Sequence, residues 1–220
     1  MKVLFMGGTG NISSACVELA LSRNWDVTLF NRGTRPVAFS RPVRALSGDR
    51  NDLGSLRALV EADRYDVVAD FVGYTPDQVA KDVEAFAGRI GQYIYISSAS
   101  VYQKPLNHYV ITESTPLANP YWKYARDKIA CEDLLITAYR ERTFPITIVR
   151  PTYTYGPTWV PSAVGGQDYT IVNRIRQGRP IVCHGDGASL WVMTYHTDFA
   201  LGFDGLFGNP RAIGEAFHIT

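Results

Sequence analysis

The feature that most constrains this chain is a glycine-rich turn near its amino end. Gly7-Gly8-Thr9-Gly10 follows the apolar run Lys2–Met6 and precedes a helical pattern over residues 11–23. An apolar run without polar alternation is typical of a parallel strand that is buried on both faces. Glycines at such a junction permit a tight turn, and the helix that follows offers its first amide groups to an anion. The pattern predicts a strand–turn–helix unit that binds phosphate.

Strand-like runs then alternate with helical patterns as far as Pro151. The predicted strands are residues 26–30, 43–46, 66–72, 92–96 and 145–149, and the predicted helices are residues 53–62, a helix starting at Thr75, and residues 121–140. The helix at Thr75 begins with Thr75-Pro76-Asp77-Gln78, a capping-box pattern with Pro at the first helical position. This alternation predicts an α/β fold, a Rossmann-type doubly wound parallel sheet with helices on both faces.

The regular alternation of predicted strands and helices ends after Pro151. Residues 152–167 are rich in Pro, Gly and Tyr and are predicted to form a loop. Beyond them we predict a helix over residues 169–177, strands at 180–183 and near 191–195, a helix over 197–207 and the strand Ala216–Ile219. Because the chain stops at Thr220, inside that last predicted strand, we expect a continuation beyond it.

Composition excludes several classes of protein. The net charge is +1, so electrostatics gives no reason to expect a nucleic acid or an anionic membrane as partner. The 3 cysteines lie far apart without a CxxC pair, and the 4 histidines show no metal-ligand spacing, so we predict no metal site. No apolar run approaches a membrane span, and no signal peptide is present. A cytoplasmic protein is the resulting expectation.

The glycine turn has the placement of a dinucleotide-binding turn. We assign Gly7, Thr9, Gly10, Asn11 and Ile12 to it. An acid usually ends the second strand and holds the ribose hydroxyls, but this chain has Asn31, followed by Arg32 with Arg35 nearby. Asn does not repel a 2′-phosphate and Arg pairs with one, so NADP is slightly favoured over NAD; alternatively, the arginines are solvated loop charges.

Further candidates follow the third and fourth strands. Asp49 either accepts a hydrogen bond from the adenine amine or caps the helix that begins near Asn51, and Arg50 is assigned to the same site. Phe71 and Val72 end the predicted fourth strand, at the sheet edge where a cofactor would pass, and both are assigned to the predicted cofactor residues.

A Ser, Tyr and Lys constellation suggests proton chemistry. The fifth strand ends in Ser97-Ser98-Ala99-Ser100-Val101-Tyr102, and its hydroxyls are expected to project into the cleft beyond the sheet. Tyr124 and Lys128 have the i,i+4 spacing that puts both on one face of the long helix. A phenol with a pKa of about 10 is a poor base, but a nearby ammonium lowers that pKa. A serine hydroxyl would hold the same substrate oxygen.

These motifs occur in order with Arg150-Pro151-Thr152-Tyr153-Thr154-Tyr155-Gly156-Pro157. Together they resemble the extended short-chain dehydrogenase/reductases, the NAD-dependent epimerase/dehydratase family, over residues 1–220. The resemblance implies that Ser98 positions the substrate, that Tyr124 is the acid/base, and that Lys128 binds the nicotinamide ribose and lowers the tyrosine pKa. It also places Pro151 and Thr152 against the nicotinamide and Gly73 along the cofactor, and Ser97 is assigned to the cofactor site as well. The implied domains are a dinucleotide-binding domain, residues 1–180 with its core in 1–150, and an interleaved, incomplete substrate-binding region, residues 151–220.

Departures from the family pattern narrow the predicted activity. Ala99 and Ser100 replace the acidic pair of the dehydratases, and Ser100 also replaces the cysteine of the epimerase-reductases. These replacements leave an epimerase or a simple reductase as the predicted activity. Tyr153 replaces an asparagine that touches the substrate, and Trp191-Val192 replaces an Arg-Asp pair that meets the diphosphate; Arg174 is a possible substitute, or a surface charge.

The first hypothesis is therefore an NAD(P)-dependent epimerase or reductase that acts on a small molecule, with a nucleotide sugar as the analogous substrate. The predicted substrate contacts are Ser100, Tyr153, Arg174 and Trp191. The resemblance also implies a homodimer formed through the helix that carries Tyr124. The alternative is a non-catalytic NADP-binding regulator or an RNA-associated relative, against which the balanced charge and the retained Tyr124 and Lys128 weigh.

Overall fold

The computed structural model describes residues 1–34, 37–162, 166 and 168–220. Arg35 lies outside the described residues. The first half of the chain gives β1 (Lys2–Met6), α1 (Asn11–Ser22), β2 (Asp26–Asn31), β3 (Arg44–Ser47), α2 (Leu53–Ala62), β4 (Tyr65–Asp70), α3 (Pro76–Phe86) and β5 (Ile90–Ile96). The second half gives α4 (Lys123–Arg142), β6 (Ile146–Pro151), β7 (Tyr153–Tyr155), α5 (Thr170–Arg176), β8 (Met193–Tyr195), α6 (His196–Asp204) and β9 (Ala216–Ile219).

Seven strands form the central sheet in the order β3-β2-β1-β4-β5-β6-β9, and every pairing in it is parallel. One hydrophobic cluster covers the face under α1 and α6, and a second covers the face under α2, α3 and α4. The predicted Rossmann-type sheet is confirmed. The strand order reverses between β1 and β4, and ligands of such sheets bind beyond the carboxyl ends of the strands at this point.

Local sequence explains where several helices begin. At the start of α3, Thr75 accepts a hydrogen bond from the Gln78 amide while Gln78 bonds back to the Thr75 amide, the predicted capping box with Pro76 in the first turn. At the start of α2 the cap is Asp52, whose carboxylate accepts from the amides of Gly54 and Ser55. The alternative role of Asp49 as this cap is therefore wrong.

The structure differs most from the sequence predictions after Pro151. Residues 153–155, predicted as loop, form β7 and pair in parallel with β8. The strand predicted at 180–183 does not form, and Val182 is 67% exposed there. A strand needs a hydrogen-bonding neighbour, and none of the described segments runs beside these residues. The apolar composition of residues 180–183 suggested a buried strand, but these residues are exposed and pack against no core.

Candidate active site

The glycine turn joins β1 to α1 with the backbone that the sequence predicts. Gly7 and Gly8 have φ of 103° and 93°, which side chains rarely adopt, and the Gly7 amide donates to the Phe30 carbonyl of β2 at 2.9 Å. Gly10 is different, because its φ of −88° is ordinary extended backbone. It precedes the first turn of α1, where no side chain among the described residues accepts from the helix amides. These amides are available to an anion.

A cavity of about 480 Å³ opens beside this turn, at the carboxyl ends of β1, β2 and β4. Its position is the point where the strand order reverses. Among the predicted cofactor residues it is lined by Gly7, Thr9, Gly10, Asn31, Arg32, Asp49, Arg50, Phe71 and Val72. The other predicted cofactor residues, Asn11, Ile12, Gly73, Ser97, Lys128, Pro151 and Thr152, do not line it.

The end of the cavity near β2 carries polar groups. The Asn31 side chain accepts from the Gly33 amide at 2.7 Å and so shapes the turn that follows β2. Arg32 is exposed on that turn. The Asp49 carboxylate accepts from the amide and side chain of Asn51. These groups surround the place where the adenosine half of a dinucleotide would lie.

Arg50 lines the same cavity, but its guanidinium is directed into the protein. It donates to Asp70 at 3.1 Å and to Asp82 at 2.5 Å, and both carboxylates are fully buried. Although burial opposes the charge, the two carboxylates raise the pKa of Arg50. The sequence indicated neither acid as a partner.

The Ser98 hydroxyl, on the turn that follows β5, acts on the Tyr124 phenol of α4. Burial raises the pKa of Tyr124 to about 12, and Ser98 acts in the opposite direction. The expected lowering of the phenol pKa by Lys128 is therefore not found. Desolvation of a phenolate outweighs an ammonium that lies over the ring, 5.7 Å from its centroid.

Lys128 is almost completely buried one turn farther along α4. Its ammonium donates to the carbonyl oxygens of Gly73 at 2.7 Å and Ile96 at 2.6 Å, and faces the rings of Tyr74 and Tyr95. Burial lowers the pKa of Lys128 to about 8, and the negative charge of Asp70 opposes this effect. An ammonium has three N–H donors, so one remains for a ligand.

The three serines after β5 do not share one direction, contrary to the expectation. The Ser97 hydroxyl is buried and donates to the Glu132 carboxylate at 2.5 Å, away from the cleft. The Ser98 oxygen accepts from the Ser100 amide at 3.2 Å, and the Ser98 hydroxyl lowers the pKa of Tyr124. The Ser100 hydroxyl is buried without a hydrogen-bond partner among the described residues. Only Ser98 is placed beside the tyrosine.

Asn11 and Thr152 connect the glycine turn to the second half of the chain. The Asn11 side-chain amide donates to the Thr154 carbonyl of β7 at 3.2 Å. The Thr152 and Thr194 hydroxyls are 2.9 Å apart. Asn11 thereby joins the start of α1 to β7, and Thr152 joins the end of β6 to β8. Pro151 lies within the buried strand β6.

The predicted substrate residues are not gathered at one point. The Tyr153 hydroxyl accepts from the Trp159 indole at 3.0 Å, and its ring meets Trp191 edge-on at 5.6 Å. Trp191 also stacks on His184 and is half exposed. Arg174 is exposed and donates to the Pro180 carbonyl of its own segment. Tyr153 and Trp191 therefore contact each other, while the Arg174 side chain is hydrogen-bonded within its own segment.

Sequence reasoning missed two site residues that the structure brings in. Tyr74 lines the cavity and also faces the Lys128 ammonium, 5.1 Å from its ring centroid, so it connects the cavity to the Tyr124 site. Glu132 bonds Ser97 and pairs with Arg150 at 2.6 Å. The i,i+4 spacing that relates Tyr124 to Lys128 also relates Lys128 to Glu132, and this repetition was an available signal.

Two searches of the described residues give negative results. No cluster of three or more His, Cys, Asp or Glu side chains is arranged to hold a metal ion. Within the described part of the chain, no helix has both the length and the apolar character that a membrane crossing requires.

The NAD dependent epimerase/dehydratase family model matches residues 3–219. The chain belongs to this family. A curated relative, the chloroplast stem-loop binding protein of 41 kDa b of Arabidopsis thaliana, is 30% identical over the whole chain and 58% of its own length. The 2′-dehydrokanamycin reductase of Streptomyces kanamyceticus is 26% identical over the whole chain and 62% of its own length. The chain therefore spans about three fifths of these family members.

Solved structures of family members show the same fold. Pal from Bacillus thuringiensis superposes with a TM-score of 0.86 at 22% identity, covering 99% of this chain and 77% of that one. A dTDP-glucose 4,6-dehydratase from Streptomyces venezuelae, solved with NAD and TYD bound, gives a TM-score of 0.83 at 21% identity, covering 100% and 75% of the two chains.

The family is NAD-dependent, and the glycine turn fits a dinucleotide. A Cβ atom on Gly10 would lie 3.3 Å from the Ser13 hydroxyl. Because glycine carries only a hydrogen at this position, a cradle remains open in front of the α1 amides. A pyrophosphate in that cradle would face the positive end of α1. When bound, the nicotinamide supplies a hydride acceptor or donor.

Proposed function

We propose that the protein is an NAD(P)-dependent oxidoreductase or epimerase that transfers a hydride at a carbinol carbon, with Tyr124 as acid/base. The observation that carries the proposal is the Lys128 ammonium, which lies over the Tyr124 ring, 5.7 Å from its centroid, while the Ser98 hydroxyl lowers the pKa of the same phenol. A phenol, a hydroxyl and a cation around one point can hold a substrate oxygen and move its proton.

In the oxidising direction, the Tyr124 oxygen would take the proton of the substrate hydroxyl, and a bound nicotinamide would supply the hydride acceptor. The carbon–oxygen bond becomes a carbonyl, so a proton and a hydride leave the substrate, which is two electrons and two protons in total. In the reducing direction Tyr124 returns the proton to the carbonyl oxygen. Epimerisation requires both directions, with the hydride returned to the opposite face of the ketone.

Ser98 and Lys128 serve different atoms in this scheme. The Ser98 hydroxyl donates to the substrate oxygen and keeps it next to the phenol. Lys128 has one donor left for the nicotinamide ribose, and its ammonium lies over the Tyr124 ring, 5.7 Å from the centroid. The raised pKa of Tyr124, about 12, favours a phenol that carries its proton at neutral pH and therefore favours carbonyl reduction.

The finer assignments belong to the same proposal. NADP is slightly favoured because Asn31 stands in place of an acid and Arg32 is exposed beside the cavity. The substrate is a small molecule, with a nucleotide sugar as the class found in several solved relatives. Water elimination is disfavoured because Ala99 and Ser100 supply no carboxylate. A homodimer would form through the exposed faces of α3 and α4, which pack side by side.

The test is turnover of Tyr124→Phe with a panel of UDP- and dTDP-hexoses and their keto derivatives, followed through nicotinamide absorbance. The matched control is Tyr139→Phe, on the distant end of the same helix. We expect Tyr124→Phe to lose at least about a hundredfold in turnover while it binds cofactor normally. Unchanged turnover in Tyr124→Phe would refute the acid/base role.

A second candidate, an RNA-associated function, is favoured by one observation. The stem-loop binding protein is 30% identical across the whole chain. Against it stand the net charge of +1 and the Ser98, Tyr124 and Lys128 site. Filter binding with a stem-loop RNA at low and moderate salt separates the two. Strong affinity that falls steeply with salt supports the RNA-associated function, and weak binding without such a dependence excludes it.

A further inference from the structure

A buried polar cluster lies between the cofactor cavity and Lys128, and it is made of Arg50, Asp70, Asp82 and Tyr93. Asp70 closes β4, Asp82 is on α3, and Tyr93 is on β5. The two carboxylates and the phenol have no exposed surface, and Arg50 retains 8%. Two carboxylates therefore share one guanidinium in a region from which water is excluded, and a buried charge without a partner is costly there.

The hydrogen bonds indicate which carboxylate is ionised. The Tyr93 oxygen lies 2.9 Å from Asp70 Oδ2 and 2.8 Å from Asp82 Oδ2, but a phenol has one proton and donates to one of them. Asp70 also accepts from the Val72 amide at 2.8 Å. The second Asp82 oxygen has no partner among the described residues. The arrangement is satisfied when Asp70 is charged and Asp82 holds a proton that it donates to Tyr93.

The pKa directions agree with that arrangement. Burial and the charge of Asp70 raise the pKa of Asp82 well above its ordinary value. Although burial opposes it, Arg50 and the donated Val72 and Tyr93 hydrogen bonds keep the pKa of Asp70 below its ordinary value. The cluster is then neutral overall, with one guanidinium and one carboxylate.

Asp70 is coupled to Lys128 through the segment at residues 71–74. Its bond to the Val72 amide fixes the start of this segment, and Gly73 passes so close that a Cβ there would lie 2.3 Å from Asp70 Oδ2. The Gly73 carbonyl in turn accepts from Lys128 and from the Tyr95 hydroxyl. The same segment supplies Phe71, Val72 and Tyr74 to the cavity wall.

We propose that Asp70 is a positioning residue for Lys128. It holds the segment that presents the Gly73 carbonyl to the ammonium and supplies the negative charge that keeps the buried ammonium protonated, while Asp82 is its uncharged counterpart. The proposal rests on the proposed function, in which Lys128 serves Tyr124. The other groups that act on the ammonium are Glu132 and Cys131 on α4 and Arg50, along with the rings of Tyr74, Tyr95 and Tyr124.

The experiment follows the Lys128 13Cε resonance of the full chain as a function of pH, with Lys128→Met to assign it. Two matched variants, Asp70→Asn and Asp82→Asn, change a carboxylate to an amide of the same shape. We expect a wild-type midpoint near pH 8. Asp70→Asn should lower it by about one pH unit, and Asp82→Asn should leave it in place. Neither substrate nor cofactor is needed, so the result is independent of the proposed activity.

Two outcomes overturn the proposal: an unchanged midpoint in Asp70→Asn, or an equal decrease in Asp82→Asn. Where Asp70→Asn does not fold, the carboxyl 13C spectrum of the wild-type chain decides. An ionised Asp70 and a protonated Asp82 at neutral pH support the assignment. The reverse arrangement, or two ionised carboxylates, contradicts it.

Discussion

The Lys128 ammonium lies over the Tyr124 ring, 5.7 Å from its centroid, and donates to the carbonyl oxygens of Gly73 and Ile96. Those carbonyls follow β4 and β5, so this one side chain ties α4 to two neighbouring strands at their carboxyl ends. Burial lowers the pKa of Lys128 to about 8 and raises that of Tyr124 to about 12. Desolvation moves both groups toward their neutral forms.

The Ser98 hydroxyl is expected to contribute to turnover through the phenol. Ser98→Ala removes the hydroxyl that lowers the Tyr124 pKa, so turnover should fall about 10- to 100-fold with unchanged cofactor affinity. Ser98→Thr keeps a hydroxyl and should restore most of the rate. Steady-state kinetics and cofactor titration measure the two effects, and equal losses in both variants would contradict the role.

The pH dependence follows from the two pKa values. In the reducing direction, Tyr124 keeps its proton up to a pH of about 12, so it does not limit the rate near neutrality. Lys128 loses its proton as the pH rises through about 8, and turnover should decline there. Lys128→Arg, which stays charged, should remove that decline in whatever rate it retains. A rate profile without a decrease near pH 8 would contradict the account.

The buried pair of Glu132 and Arg150 is expected to matter for stability. Glu132→Gln leaves the Arg150 guanidinium without its carboxylate, 2.6 Å away in the wild type, and should lower the free energy of unfolding by about 3 kcal/mol. Denaturant unfolding measures this loss. Adding Arg150→Met to the variant removes the unpaired charge and should recover part of it. A double variant as unstable as the sum of the single changes would show that the pair is not coupled.

The choice of cofactor is expected to depend on Arg32. Arg32→Ala should raise the dissociation constant of NADPH about tenfold, because a charge-assisted contact to the 2′-phosphate is lost, and should leave that of NADH unchanged. Calorimetric titration with both cofactors measures this difference. The control is Arg57→Ala, whose guanidinium pairs with Glu84 on the surface. Equal effects on NADPH and NADH would contradict a preference for the phosphate.

Local signals in the sequence were sufficient for much of the fold. The apolar run before Gly7 and the box of Thr75 and Gln78 depend on neighbouring residues, and both predictions are confirmed. The strand predicted at 180–183 failed because a strand also needs a partner, which no local pattern specifies.

The site was predictable only in part for the same reason. Tyr124 and Lys128 share a helix face that spacing alone reveals. The partners of Arg50 come from β4 and α3, so its inward direction depends on contacts between segments distant in sequence. Ser97 and Ser98 are adjacent and differ in direction, and spacing alone did not distinguish them, whereas the family resemblance singled out Ser98.

Binding of NADH and NADPH to the wild-type chain and to Gly10→Val, measured by calorimetry, tests the central claim most directly. Gly10 has ordinary backbone angles, and a Cβ atom there would contact the Ser13 hydroxyl at 3.3 Å, which needs only a small shift of that side chain, so the variant should fold. The account predicts saturable binding of about one cofactor per wild-type chain and a loss of at least about a hundredfold in affinity in Gly10→Val. Wild-type chain that binds neither cofactor, or a variant that binds as well as the wild type, would contradict it.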